Sequence, residues 1–122
     1  MTVNVAVTGG PSTSVAWTSG MNAQNALELA EDNLAGDFIY SMEYYGSSLG
    51  YLVNMINETY DTFKSTSNPF FYWEFFVNGA PSPKGIDQTI LNDGDDVTFT
   101  FATYNEAAAS AITKVKHTRR YA

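Results

Sequence analysis

The residues able to do chemistry are few and poorly spaced for it. His117 is the one histidine and cysteine is absent, so the sequence offers no imidazole base beside a nucleophile and no thiolate metal site. Asn92-Asp93-Gly94-Asp95-Asp96 shares the acidic start of a calcium loop, but the alternating ligands and distal glutamate do not follow. A turn before a strand suits it better, with a loose Ca²⁺ contact left open. The neighbouring carboxylates Glu31-Asp32 and Asp95-Asp96 point to different sides of any regular element. Glu74 and Asp87 could approach across a sheet, yet nothing places them in a cleft. Gly9-Gly10-Pro11 lacks the glycine spacing, lysine and following helix of a phosphate loop. Asn57-Glu58-Thr59 matches a glycosylation sequon, which matters only in a eukaryotic secretory setting. The chain is therefore expected not to be an enzyme, and a binding role is left.

The binding candidates are aromatic. From Phe70 to Val77 every residue except Glu74 is aromatic or β-branched, and Val97 to Tyr104 is a second such run. Both suit a pleated, half-buried surface. Asn78-Gly79 and Asp93-Gly94 supply the positive φ angles of tight reversals, so the order is strand, turn, short extended segment over Ile86 to Leu91, turn, strand. Alternation splits Phe70, Tyr72, Glu74 and Phe76 from Phe71, Trp73, Phe75 and Val77, so one face cannot hold them all. One face is expected in the core and the other is free for a ligand or partner.

The preceding elements must position that stretch. Val3, Val5 and Val7 alternate with polar residues over Thr2 to Thr8, the pattern of a strand buried on one face, and Val15 to Trp17 is its short partner. Asn22 caps a helix whose apolar face is Ala23, Ala26, Leu27, Ala30 and Leu34, with Gly36 ending it. Phe38 to Tyr44 alternates as a strand, Gly46 to Gly50 is a loop, and Tyr51 to Ile56 is again extended. Asn68-Pro69 stops the polar run before the aromatic strand. After Tyr104, Asn105 could cap a helical turn, and Ile112 to Tyr121 could be an added strand or an ordered tail. One helix among many strands gives an α+β domain with the helix on a sheet face.

At 122 residues and 44 % hydrophobic content, this is one domain with a core of its own. No window approaches the length of a membrane span. Met1-Thr-Val-Asn-Val lacks a basic region followed by an apolar one, so no signal peptide is expected, and Met1 could be a start placed on a mature domain. The net charge of −7 disfavours nucleic acid. Charge is uneven: Lys114, Lys116, Arg119 and Arg120 give the last nine residues +4, against −11 before them. That end is either a solvated tail or a basic arm that docks on an acidic neighbour.

Tyr72-Trp73-Glu74-Phe75, Val77-Asn78-Gly79, Lys84-Gly85-Ile86-Asp87 and Asp93-Gly94-Asp95 together resemble the C-terminal β-domain of the transcobalamin and intrinsic factor family, including its bacterial members. Tyr45-Gly46, Leu49-Gly50 and Met55-Ile56-Asn57 fit upstream. The resemblance implies a β-grasp-like mixed sheet wrapping a single helix over residues 1–104, followed by a basic C-terminal extension over 105–122. It also implies a corrinoid such as cobalamin as ligand, one face of which the domain would cover. Carried onto this chain, the contacts are Ser48, Leu49, Gly50, Tyr51, Leu52 and Val53, and then Trp73, Phe75, Phe76, Val77, Asn78, Gly79, Ala80 and Pro81. Asn78 and the backbone of Ser48 to Gly50 would serve the ligand's amides. The family's helical second domain has no counterpart here, so a partner protein would have to cover the other face. An extracellular or cell-surface setting goes with this reading. The rival is a surface or structural protein-interaction module with no small-molecule ligand. In it the aromatic face meets a protein or glycan, and the C-terminal extension drives self-association by strand addition.

Overall fold

The computed structural model describes residues 1–62 and 70–104. The Asn68-Pro69 stop, the Asn105 turn, the Ile112–Tyr121 strand, His117 and the 105–122 extension lie outside the described residues.

The chain begins with an antiparallel hairpin of β1 (Thr2–Val7) and β2 (Ser12–Ala16), in which Val3 faces Val15 across the ladder. The helix α1 (Ala23–Leu34) follows, then β3 (Tyr40–Tyr44), β4 (Tyr51–Ile56) and the two-residue β5 (Thr59–Tyr60). The aromatic strand β6 (Phe70–Val77), the short β7 (Ala80–Pro81) and the long β8 (Asp96–Tyr104) complete it. Among the described residues α1 is the one helix, and the α+β class is as the sequence predicts. The strands divide between two sheets. The larger is mixed, in the order β2-β1-β8-β6-β7, with β1 parallel to β8; the smaller is β3-β4-β5.

Period-two alternation builds the larger sheet. Val5 lies beside Val97, and Val97 beside Val77; Val7 lies beside Phe99, and Phe99 beside Phe75. These side chains share one face, and Val5, Val97 and Phe99 are almost wholly buried. The Phe75 and Phe99 rings stack at 5.2 Å with planes 10° apart. Leu27 of α1, Phe38, Val53 and Ile56 of the second layer, and Ile86 and Leu91 of the β7–β8 connection fill the same core. Burying a side chain such as Leu27 stabilises by about 1.5–3 kcal/mol.

α1 starts where the sequence places it. The Asn22 side chain accepts from Asn25 N (2.8 Å) and the Asn25 side chain accepts from Asn22 N (3.0 Å), a reciprocal cap that satisfies two end donors. The far end differs by one residue from the expected Gly36 stop. Ala35 takes the left-handed conformation (φ 48°), and Ala35 N returns to Glu31 O. A Cβ makes that conformation cost about 1–2 kcal/mol, which Gly36 one position earlier would have avoided.

Candidate functional site

The first proposed contact segment is a loop tied down from within. Gly50 N donates to Gly46 O (2.7 Å) and Tyr45 N to Gly50 O (2.9 Å), which closes the turn between β3 and β4. The connection after β7 then runs across it. Gly85 N donates to Leu49 O (2.7 Å), Ile86 N to Tyr51 O (2.9 Å), Tyr51 N to Asp87 Oδ1 (2.7 Å), and Gln88 Nε2 to Ser47 O (2.7 Å). This close approach explains two glycines. A Cβ on Gly50 would collide with the Asp87 carboxylate, and one on Gly85 with the Tyr51 carbonyl; Gly50 also has a φ of 82°.

The same connection reaches the helix. Ala23 N donates to Thr89 O, Gln24 N to Ile86 O, and Asn22 Nδ2 to Asp87 O. Residues 85–89 thus fasten the start of α1 to the start of β4. The sequence reading made this stretch a short extended segment. It is instead turns around a single bridge between Asn22 and Ile90. The clue available beforehand was Gly85 directly before Ile86-Asp87, a glycine where a backbone must come close.

The second segment follows β6. Asn78 (φ 53°) and Gly79 (φ 80°) make the tight turn their types demand. Asn78 Nδ2 donates to Asp95 Oδ1, and Asp96 N donates to Asn78 Oδ1, both at 2.8 Å. Asp95 is buried, and its other oxygen accepts from Asn92 N (2.8 Å). The Asp95 carboxylate and the Asp96 amide, within the acidic run that shares the start of a calcium loop, therefore cap this corner. Among the described residues no group of three His, Cys, Asp or Glu is placed to hold a metal ion.

The predicted contact residues are not all brought to one surface. Ser48, Asn78, Gly79, Ala80 and Pro81 are exposed, and Tyr51 and Leu52 half-buried. Leu49, Gly50 and Val53 are buried. Trp73, Phe75 and Val77 are on the core side of β6, whereas Phe76 is on the opposite side. Trp73 is half-buried, its ring 4.9 Å from that of Phe101 and its Nε1 donating to Thr59 O at 2.9 Å. Both polar atoms of the Asn78 side chain are engaged within the protein, as are the Leu49 carbonyl and both Gly50 backbone groups. The amide-binding role expected of them needs other donors. Outside the predicted set, Tyr44 is exposed, and its ring lies 5.1 Å from that of Tyr51 at the mouth of the 46–50 loop. Phe71 and Phe101 stack at 5.5 Å and are also exposed.

Two tyrosines are held protonated. Burial, then Glu28 and Glu31, pushes Tyr40 up to about 12. Burial pushes Tyr45 up more strongly, aided by Glu43, which accepts from its hydroxyl, and by Asp61.

The fold is that of a small mixed α+β domain whose turns are fastened by one long connection. The chain belongs to the family described as Domain of unknown function (DUF4430), whose model matches residues 21–103. Among solved structures it is similar to haptocorrin in complex with Cbi, at a TM-score of 0.68 and 21 % identity. That match covers 85 % of this chain and 25 % of haptocorrin, so the chain spans about a quarter of that protein. It is also similar to a protein from Ruminococcus gnavus ATCC 29149 to which metal binding is provisionally ascribed (TM-score 0.56, 19 % identity, 84 % of this chain and 95 % of that one). No curated protein sequence matches it. At these identities the likeness is one of fold. Among the described residues no helix is long and apolar enough to cross a membrane.

Proposed function

We propose that this domain is a non-catalytic binding module whose ligand is a corrinoid, held against the rim formed by Ser48, the Tyr44–Tyr51 ring pair and the 78–81 turn. The observation that carries the reading is the immobilised 46–51 loop. Its backbone is fixed by β3 and by residues 85–88, while Ser48 and the Tyr44 ring remain at the surface, with the half-buried Tyr51 ring beside Tyr44. A rim fixed before binding loses little entropy when a ligand arrives. The fold's likeness to haptocorrin, solved in complex with Cbi, supports a corrinoid as the ligand class.

The residues fit such a ligand in part. Tyr44 and Tyr51 offer apolar faces with polar tips, and Ser48 offers a hydroxyl; Leu49 and Asn78, committed internally, offer little. A single domain covers one side of a flat macrocycle, so another domain or protein would cover the other, and binding by this domain alone should be modest, at micromolar affinity or about −8 kcal/mol. An extracellular or cell-surface setting accords with this proposal.

The test is titration with cobinamide and with cobalamin, followed by the corrinoid's visible bands and by tryptophan fluorescence corrected for corrinoid absorption. Saturable binding, weakened at least tenfold by Ser48→Glu or Tyr44→Ala, is expected. Ser48 and Tyr44 are the suitable probes because a charge at buried Leu49 would report unfolding. No binding at millimolar corrinoid by the folded protein would end the proposal. The interaction-module reading would then lead, on the exposed Phe71–Phe101 stack at the other end of β6.

A further inference from the structure

Asn78-Gly79 is the one asparagine–glycine pair in the chain; every other asparagine precedes a residue that carries a side chain. Asparagine is thermolabile, and most so before glycine, where no Cβ obstructs the approach of the next backbone nitrogen to the side-chain amide. In that reaction a bond forms between Gly79 N and Asn78 Cγ, and the Cγ–Nδ2 bond breaks. Ammonia leaves with the proton from Gly79 N. Water then opens the five-membered imide at either carbonyl, giving aspartate or isoaspartate, with water the sole co-reactant. In this fold both ends of the Asn78 amide are held. Nδ2 donates to Asp95 Oδ1 and Oδ1 accepts from Asp96 N, each at 2.8 Å. Expelling Nδ2 gives up the first bond, and swinging the amide carbon onto Gly79 N gives up the second.

We propose that Asn78 is a modification site gated by this corner: it deamidates only when the corner opens, and the carboxylate that results keeps the corner from closing again. The bond to Asp95 needs an N–H, which an aspartate at position 78 no longer offers. Asp95 is only 8 % exposed, and its other oxygen accepts from Asn92 N at 2.8 Å, so it is held in place. Two carboxylates at hydrogen-bonding distance repel unless they share a proton. Isoaspartate also lengthens the main chain by one carbon between Val77 and Ala80, whose pairing closes the β6–β7 hairpin. Asn78 N donates to Asp96 O at 2.8 Å, so the same residue ties that hairpin to the start of β8. The change is one-way and marks chains that have opened here. It is independent of the corrinoid reading.

The test incubates the full chain at neutral pH and follows residue 78 by peptide mass mapping, which reads both the exchange of NH2 for OH and the isoaspartyl form. Asp95→Ala removes the partner of Nδ2 and should speed conversion at least tenfold while circular dichroism shows the chain still folded. Asp95→Ser serves if the alanine variant does not fold, because its hydroxyl can still accept from Asn92 N. The parent chain unfolded in urea should also convert at least tenfold faster than the folded parent. Equal rates in the folded parent and the folded Asp95 variant overturn the proposal, as does folded parent converting as fast as unfolded. Asn78→Asp should lower the urea midpoint. Asn78→Asp with Asp95→Asn, which remakes the bond with donor and acceptor exchanged, should recover most of that loss. An Asn78→Asp chain as stable as the parent, or no recovery in the exchanged pair, overturns the claim that the product holds the corner open.

Discussion

The 46–51 loop and the 78–81 turn are the two places the sequence nominates for ligand contact, and they are held by opposite means. The loop is fixed through its backbone. Its carbonyls and amides are taken up by Gly46, Tyr45, Gly85, Ile86 and Asp87, and its glycine leaves no room for a side chain. The turn is fixed through one side chain, with the Asn78 amide bridging Asp95 and the amide of Asp96, while Gly79 to Pro81 remain open to solvent. Residues that stand out in a motif are thus mostly fasteners, and a ligand would meet their exposed neighbours. Backbone fastening tolerates no change of shape, whereas a side-chain bridge tolerates a partial one.

Substitutions should rank accordingly. Leu49→Glu should be the most damaging, costing about 3–5 kcal/mol or preventing folding, since it buries an uncompensated charge; urea unfolding measures it, and a loss under 1 kcal/mol would show that the loop lifts away freely. Gly50→Ala should follow at about 2–4 kcal/mol, combining positive-φ strain with a collision against Asp87. Asp87→Gly in the same chain should recover part of that loss, and no recovery would mean that φ strain alone is responsible.

Asn78→Ala should cost about 1–3 kcal/mol through two lost hydrogen bonds to buried or charged partners, while Asn78→Gly, which keeps the conformation, should separate the bonds from the strain. Alkaline pH should distinguish the two regions more gently. Tyr45 and Tyr40 are raised above the ordinary value of 10 in the folded chain. Their contribution is full below pH 10 and is lost as pH rises from 10 through about 12 and beyond, because the unfolded chain releases those protons first. Tyr40→Phe should flatten the loss between pH 10 and 12, and Tyr45→Phe should flatten it further, leaving the Asn78 corner unaffected. A melting curve whose alkaline slope ignores both would remove the tyrosines from the account. Ser48→Ala should change stability by no more than about 0.5 kcal/mol, so any loss of corrinoid binding in that variant would be read as contact.

Local chemistry was enough for the elements. Alternating valines make β1 a one-face strand, Asn22 and the Ala23–Leu34 periodicity make the helix, and Asn78-Gly79 and Asp93-Gly94 make turns, because each depends on residues near in sequence. Alternation along β6 likewise separates Phe76 from Trp73, Phe75 and Val77. What only the tertiary structure decided is which apolar face is covered and which polar groups are already committed. The parallel pairing of β1 with β8, the partition into two sheets, the passage of residues 85–89 over the 46–51 loop and the burial of Glu74 all join residues far apart in the chain. A carbonyl at Leu49 or an amide at Asn78 looks available in the sequence; its partner lies in another element, and only the folded chain brings that partner within hydrogen-bonding distance.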